Sequence, residues 1–164
     1  MKVMVAYASR TGNTKKVAEA VFQEVQAEKE IKELSAVSDL AGYDLVFVGL
    51  PIIAFGPAPE AKDFLAKHCQ GKKVAMFVTH ASPEDLVDLQ GWLGKCREAA
   101  AGADLIGLFD CQGELAQNVK DLLLKSNDPK MRAWAETDAS KGQPDVARLE
   151  RARVFARQTM AAVK

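Results

Sequence analysis

The 164-residue chain lacks the features that mark membrane-spanning and secreted proteins. No apolar run reaches the roughly 20 residues that are needed to span a bilayer. The first apolar run ends at Ser9, which is too early for a secretory signal peptide. We therefore expect a protein that has no contact with a membrane.

The chain also lacks the residues of a metal centre, a disulfide framework or a nucleic-acid-binding surface. Its two histidines, His68 and His80, are far apart, and its three cysteines form no C-x-x-C pair. The odd number of cysteines favours a reducing compartment, so we expect a cytoplasmic protein without a bound metal. Lys and Arg balance Asp and Glu at 22 each, and this neutrality argues against nucleic acid as a partner.

Apolar runs alternate with helical patterns through residue 110, which is typical of an α/β domain with a parallel sheet. Five strands with crossover helices predict a three-layer, doubly wound sheet of strand order 2-1-3-4-5. The predicted strands cover 3–8, 31–37, 44–50, 73–79 and 104–110, and the predicted helices cover 13–28, 60–69 and 86–101.

Residues 111–164 are predicted to be a helical C-terminal extension that packs on the same core, so the expectation is one domain over 1–164. The last helix should begin at Asp145. Trp92 and Trp134 are expected to anchor their helices in the core. Cys111, which ends the fifth strand, is interpreted as a small buried residue rather than as a reactive thiol.

The loop SRTGNT at residues 9–14 directly follows the first strand and leads into a helix. A helix N-terminus presents unpaired N–H groups and a partial positive charge, which favour an anion. Three hydroxyl groups, one amide and one glycine in six residues exceed what an N-cap needs. The loop therefore predicts a phosphate site.

Other phosphate-binding and phosphoryl-transfer motifs are absent. The chain has no G-x-x-x-x-G-K-[ST] and no G-x-G-x-x-G after the first strand, and the loop has no cysteine nucleophile. A receiver domain would need acidic residues where the first and third strands end, and those ends read Ala8-Ser9 and Leu50-Pro51.

The stretch VAYASRTGNTKKVAEAV resembles the flavodoxin signature, in which a strand leads into S-x-T-G-N-T and then a helix. The resemblance extends through the strand order and implies a flavodoxin-like fold with FMN as cofactor, its phosphate in the 9–14 loop. It implies that FMN contacts Ser9, Arg10, Thr11, Gly12, Asn13, Thr14, Pro51, Ile52, Ile53, Ala54, Phe55, Gly56, Thr79, His80, Ala81 and Ser82.

The loops expected to hold the flavin ring depart from the family pattern. Phe55-Gly56 stands where the family has Trp-Gly, so Phe55 is a candidate to cover one face of the ring. The loop after the fourth strand has no tyrosine, and its one ring is His80, which either faces the flavin or simply ends the strand. Resemblance also implies that Gly56 turns its peptide toward the reduced flavin.

Two functions remain open at this point. The resemblance implies an electron-transfer protein that moves electrons between a reductase and an acceptor protein, with no catalytic acid or base. Carrier flavodoxins are usually strongly acidic, whereas this chain is neutral. The alternative is therefore an FMN-dependent reductase of a quinone or another small molecule.

Overall fold

Five parallel strands form the centre of the structure, a computed structural model that describes residues 1–163. The strands are β1 (Lys2–Tyr7), β2 (Glu28–Glu33), β3 (Leu45–Ile53), β5 (Lys73–His80) and β6 (Asp104–Gln112), and a two-residue strand, β4 (Gly56–Pro57), pairs antiparallel with β3. The order β2-β1-β3-β5-β6 confirms the predicted order, with β4 as an addition.

Helices cover both faces of the sheet and give the predicted three layers. They are α1 (Asn13–Glu24), α2 (Pro59–His68), α3 (Leu89–Ala99), α4 (Gln117–Leu124), α5 (Pro129–Glu136) and α6 (Val146–Ala162), with a 3₁₀ turn at Leu34–Ala36. None of these helices is both long enough and apolar enough to cross a membrane.

Side chains alternate between two hydrophobic cores along the central strands, as the pleat of a strand requires. Val46 and Val48 of β3 pack in the core under α2 and α3, whereas Leu45 and Phe47 pack under α1 and α6. Burial of a side chain such as Phe47 contributes about 1.5–3 kcal/mol. This double coverage explains why most of the strands read as apolar runs.

The second strand differs from its prediction, because it covers Glu28–Glu33 rather than 31–37. It lies at the edge of the sheet and pairs with β1 alone. At an edge, charged side chains reach water and form ion pairs, here Lys2 with Glu30 and Lys32 with Glu30. The apolar Leu34 and Val37 instead enter the core from the turn that follows.

The C-terminal extension has two parts with different surroundings. Helix α6 packs on the sheet beside α1, where Ala152, Ala156 and Met160 are buried. Helix α4 has no buried side chain, and α5 buries only Ala135. Helix α6 therefore contributes to the core beside α1, whereas α4 contributes no buried side chain.

Candidate functional site

A cavity of about 610 Å³ lies at the carboxyl ends of β1, β3 and β5, within the size range typical of cofactor sites. It lies where ligands bind in doubly wound sheets. All of the site residues predicted from the sequence line it except Gly12 and Gly56. The fold therefore brings the 9–14 loop, the β3–β4 hairpin and the end of β5 around one space.

The 9–14 loop turns sharply into α1. Gly12 precedes the helix with φ of 98°, the left-handed conformation that glycine tolerates best. The hydroxyl of Ser9 accepts hydrogen bonds from the amides of Gly12 and Lys15 at 3.1 and 3.2 Å. Ser9 thus holds the loop closed while its own proton stays free for an anion.

Thr14 joins this loop to the end of β5. Its hydroxyl lies 2.8 Å from the hydroxyl of Thr79, and both side chains are buried. Each hydroxyl has one proton and two lone pairs. One hydroxyl therefore donates to the other, and the proton of the accepting hydroxyl remains available for another acceptor.

Two other loop side chains bind neighbouring segments. Arg10 donates to the carboxylate of Glu60 at 3.0 to 3.3 Å, and this hydrogen bond holds the pKa of Glu60 below its usual value. The side-chain amide of Asn13 donates to the backbone oxygen of Glu114 at 2.9 Å. The positive charge of Arg10 is therefore partly compensated, and the other hydrogen-bond donors of the loop are neutral.

The β3–β4 hairpin forms one wall of the cavity. Ile53 pairs with Gly56, and the two residues between them, Ala54 and Phe55, have φ of 48° and 66°. A two-residue hairpin of type I′ needs positive φ at both positions, which side chains with a β-carbon adopt at a cost of roughly 1 kcal/mol or more each. Such strain is common at functional sites.

Phe55 is 44% exposed and contacts Trp92 of α3 with a ring-centroid distance of 5.2 Å. Gly56 is buried and its φ lies outside the left-handed region, and a β-carbon there would meet only Lys95, at 3.6 Å. The space around this position does not require a glycine. The suggested turn of the Gly56 peptide toward the reduced flavin therefore stays a prediction.

His80 lines the cavity but does not offer a free ring face. Its side chain is 1% exposed, and its ring nitrogens are hydrogen-bonded to Asp110 at 2.9 Å and to the Ser82 hydroxyl at 3.0 Å. This burial favours the second of the two alternatives for His80, a residue that ends the strand, and contact of its ring with the flavin stays a prediction. The two hydrogen bonds of His80 fix the loop that ends β5.

Several lining residues were not predicted from the sequence. Trp92 packs against the core under α2 and α3 and also lines the cavity, whereas Trp134 lies in neither core and its predicted core role is wrong. The further lining residues that the sequence analysis missed are Glu114, Leu115, Ala116, Asn118, Val119 and Leu123. The signal in the sequence was the apolar content of 119–124, which exceeds what an exposed helix needs.

Cys111 is fully buried, and burial raises the pKa of its thiol to about 12. It packs in the core under α1 and α6. A thiol with so high a pKa is not a nucleophile near neutral pH, which confirms the interpretation as a buried structural residue.

Comparison with known proteins adds family information to this geometry. A family model described as "Flavodoxin domain" matches residues 4–157. The flavodoxin-like domain-containing protein BilS of Clostridioides difficile (strain CD3) is 28% identical over 177 aligned positions, which cover 98% of this chain and 97% of that protein.

Solved structures resemble the fold of this chain. A flavodoxin from the domain Archaea has a TM-score of 0.62 at 18% identity, with 99% of each chain covered. A flavoprotein from Lactobacillus acidophilus solved in complex with FMN has a TM-score of 0.55 at 23% identity, covering 66% of this chain and 92% of that one. The WrbA-like protein from Agrobacterium tumefaciens has a TM-score of 0.58 at 20% identity, with 99% and 96% covered.

Proposed function

Because this chain belongs to the flavodoxin domain family, we propose that it binds FMN in the 610 Å³ cavity and transfers electrons between a reductase and an acceptor protein. The observation that carries the proposal is the convergence of the 9–14 loop, the β3–β4 hairpin and the end of β5 on this single cavity.

The residues around the cavity fit the two chemically different ends of FMN. At one end, the N-terminus of α1 and the side chains of Ser9, Thr11 and Thr14 offer hydrogen-bond donors to a phosphate. At the other end, the rings of Phe55 and Trp92 offer apolar surface to an aromatic ring system. A polar end and an aromatic end in one cavity match a ligand with the same division.

When bound, FMN supplies the redox chemistry, which no side chain of this site supplies by itself. The chain's residues bind the phosphate, position the ring and limit the access of water. The Thr14–Thr79 pair fixes the phosphate loop against β5. Phe55 is partly exposed at the rim, so a partner protein can approach the bound ring closely there. Electron transfer of this kind needs no general acid or base.

The neutral net charge favours one second candidate. A strongly charged surface steers a carrier to partners of the opposite charge, and this chain has no net charge to do so. A reductase that passes electrons directly to a small molecule, such as a quinone, has no such need.

Anaerobic reduction of the FMN-loaded protein distinguishes the two. For a carrier, NADH or NADPH alone should leave the visible flavin absorption unchanged, whereas chemically reduced protein should reduce a protein acceptor such as cytochrome c. Rapid bleaching by NADH or NADPH alone, followed by rapid reoxidation by a quinone, would favour the reductase. Failure to bind FMN at all would contradict both.

A further inference from the structure

Residues 114–143, here called the flap, form a long segment that contains α4 and α5. Its two ends, 114–115 and 140–143, are hydrogen-bonded to each other and are here called its base. The amide of Glu114 donates to the backbone oxygen of Gln143 at 2.9 Å. The amide of Leu115 donates to the hydroxyl of the fully buried Ser140 at 2.8 Å. The flap is therefore held firmly at its base, independently of how its helices pack.

The helices of the flap pack little against the rest of the chain, and three of their apolar side chains line the cavity. Val119 and Leu123 of α4 and Trp134 of α5 line it, although α4 has no buried side chain. The sheet topology explains this position, because the flap follows β6, which pairs with β5. Covering such an apolar surface with an apolar ligand is favourable, because it removes the surface from water.

Trp134 is the flap's only aromatic side chain, and the neighbouring loop after β5 offers only the buried ring of His80. Phe55 and Trp92 contact each other and so form a single aromatic wall. Trp134 is thus the aromatic group available to a flavin ring from the flap side of the cavity. A planar ring system between aromatic side chains gains contact area and favourable stacking.

Asn13 connects the flap directly to the phosphate loop. Its side-chain amide donates to the backbone oxygen of Glu114, at the base of the flap. Gly113 makes this approach possible, because a β-carbon there would lie 2.7 to 2.9 Å from atoms of the Asn13 side chain. Gly113 in turn donates its amide to the backbone oxygen of His80 at 2.8 Å. The position of the flap therefore depends on the conformation of the loop that would hold the phosphate.

We propose that the flap is the second wall of the FMN site, with Trp134 and Leu123 packed on the flavin ring, and that FMN binding stabilises α4 and α5 against local unfolding. The inference rests on the proposed function, since it takes FMN as the ligand of the cavity. It assigns the extension after β6 a role in cofactor binding and makes Trp134 a specificity-determining residue for an aromatic ring.

Fluorescence of Trp134 reports whether FMN binds close to the flap, and the substitutions described below test contact with the ring. The chain has two tryptophans, so the Trp92→Phe variant leaves Trp134 as the one tryptophan emitter. Titration of this variant with FMN should quench its tryptophan emission strongly, with the same midpoint as the change in flavin fluorescence. Hydrogen exchange of the wild-type protein should slow at the amides of α4 and α5 when FMN is added.

Two adjacent leucines of α4 provide a matched pair for affinity. Leu123 lines the cavity, whereas Leu122 is 70% exposed and does not. Leu123→Ala should weaken both FMN and riboflavin about tenfold, the loss expected if the ring buries roughly half of the deleted surface. Leu122→Ala should change neither affinity. Trp134→Leu should weaken both ligands, and Trp134→Phe should retain most of the affinity.

The outcomes separate this inference from the proposed function. If FMN binds the wild-type protein, but the two leucine variants bind it alike and Trp134→Leu binds it as tightly as wild type does, the flap proposal is wrong and the FMN assignment stands. If neither FMN nor riboflavin binds the wild-type protein, both are wrong. Quenching together with a selective effect of Leu123→Ala supports both.

Discussion

Replacing Thr14 with valine should break the buried hydroxyl pair that joins α1 to β5. The exposed fractions of Thr14 and Thr79 are 1% and 3%, and their hydroxyl oxygens lie 2.8 Å apart. Valine keeps the shape of threonine but leaves the Thr79 hydroxyl without its partner. An unsatisfied buried polar group costs about 1–3 kcal/mol of unfolding free energy, so Thr14→Val should destabilise the cofactor-free protein by that amount. Thr79→Val should have a similar cost.

The double variant provides the decisive comparison. When both partners become apolar, no unpaired hydroxyl remains, and the loss should be smaller than the sum of the single losses by about 1 kcal/mol or more. Urea unfolding followed by far-UV circular dichroism measures all four free energies. Additivity of the two single effects within about 0.5 kcal/mol would refute the buried pair.

The same variants test how the pair serves the phosphate. If Thr79 donates to Thr14, the proton of Thr14 stays free for a phosphate oxygen. Thr14→Val should then weaken FMN more than riboflavin, because it removes this proton and only FMN has a phosphate. Thr159→Val, at a buried threonine of α6 away from the cavity, serves as the control and should leave both affinities unchanged. Equal weakening of FMN and riboflavin by Thr14→Val would refute this direction of the hydrogen bond.

Three further substitutions test other contacts. Burial alone would raise the pKa of Glu84, but hydrogen bonds from Arg151, the Gln112 amide and Arg148 lower it. The charged carboxylate therefore stabilises the fold at pH values above its unfolded pKa of about 4.3, and this stabilisation is lost as the pH falls further. Glu84→Gln should therefore lower the unfolding free energy near pH 7, with a difference from wild type that shrinks toward pH 3; a constant difference would contradict the ion pairs. Gly113→Ala should displace the Asn13 side chain and lower the free energy of urea unfolding by about 1–3 kcal/mol. Gly91→Ala is the control, because a β-carbon there meets nothing within 4 Å; equal unfolding free energies of the two variants would contradict the close approach of Gly113 to Asn13. Phe55→Ala should increase the fluorescence of bound FMN, because an adjacent aromatic ring quenches it; unchanged fluorescence and affinity would place Phe55 away from the flavin.

The sheet was predictable because most of its strands are covered on both faces and therefore consist of apolar runs. The 9–14 loop was predictable because Ser9, Gly12 and Thr14 combine donors and a glycine directly after a strand. The prediction placed the edge strand β2 a few residues too late in the chain, because an edge strand needs no apolar run. The observed strand has the sequence EKEIKE, whose charged side chains form ion pairs at the edge.

The β3–β4 hairpin and the role of Trp134 were not predictable by the same means. Ala54 and Phe55 are poor residues for a type I′ turn, so the local sequence gives no hairpin signal and the surrounding structure imposes the turn. The position of Trp134 depends on the base of the flap, where Ser140 and Gln143 accept hydrogen bonds from Leu115 and Glu114. These partners are far apart in sequence. Periodicity identifies the helices of the flap, but not the surface that their apolar sides face.

Binding of FMN and riboflavin to the wild-type protein and to the Thr11→Ala/Thr14→Ala double variant tests the central claim most directly. The 9–14 loop is proposed to hold the phosphate, so the double variant should lose two charge-assisted hydrogen bonds to FMN and none to riboflavin. Isothermal titration calorimetry should show FMN weakened by about 3 kcal/mol or more and riboflavin changed little. Equal weakening of the two ligands would contradict the phosphate site and, with it, the assignment of this cavity to FMN.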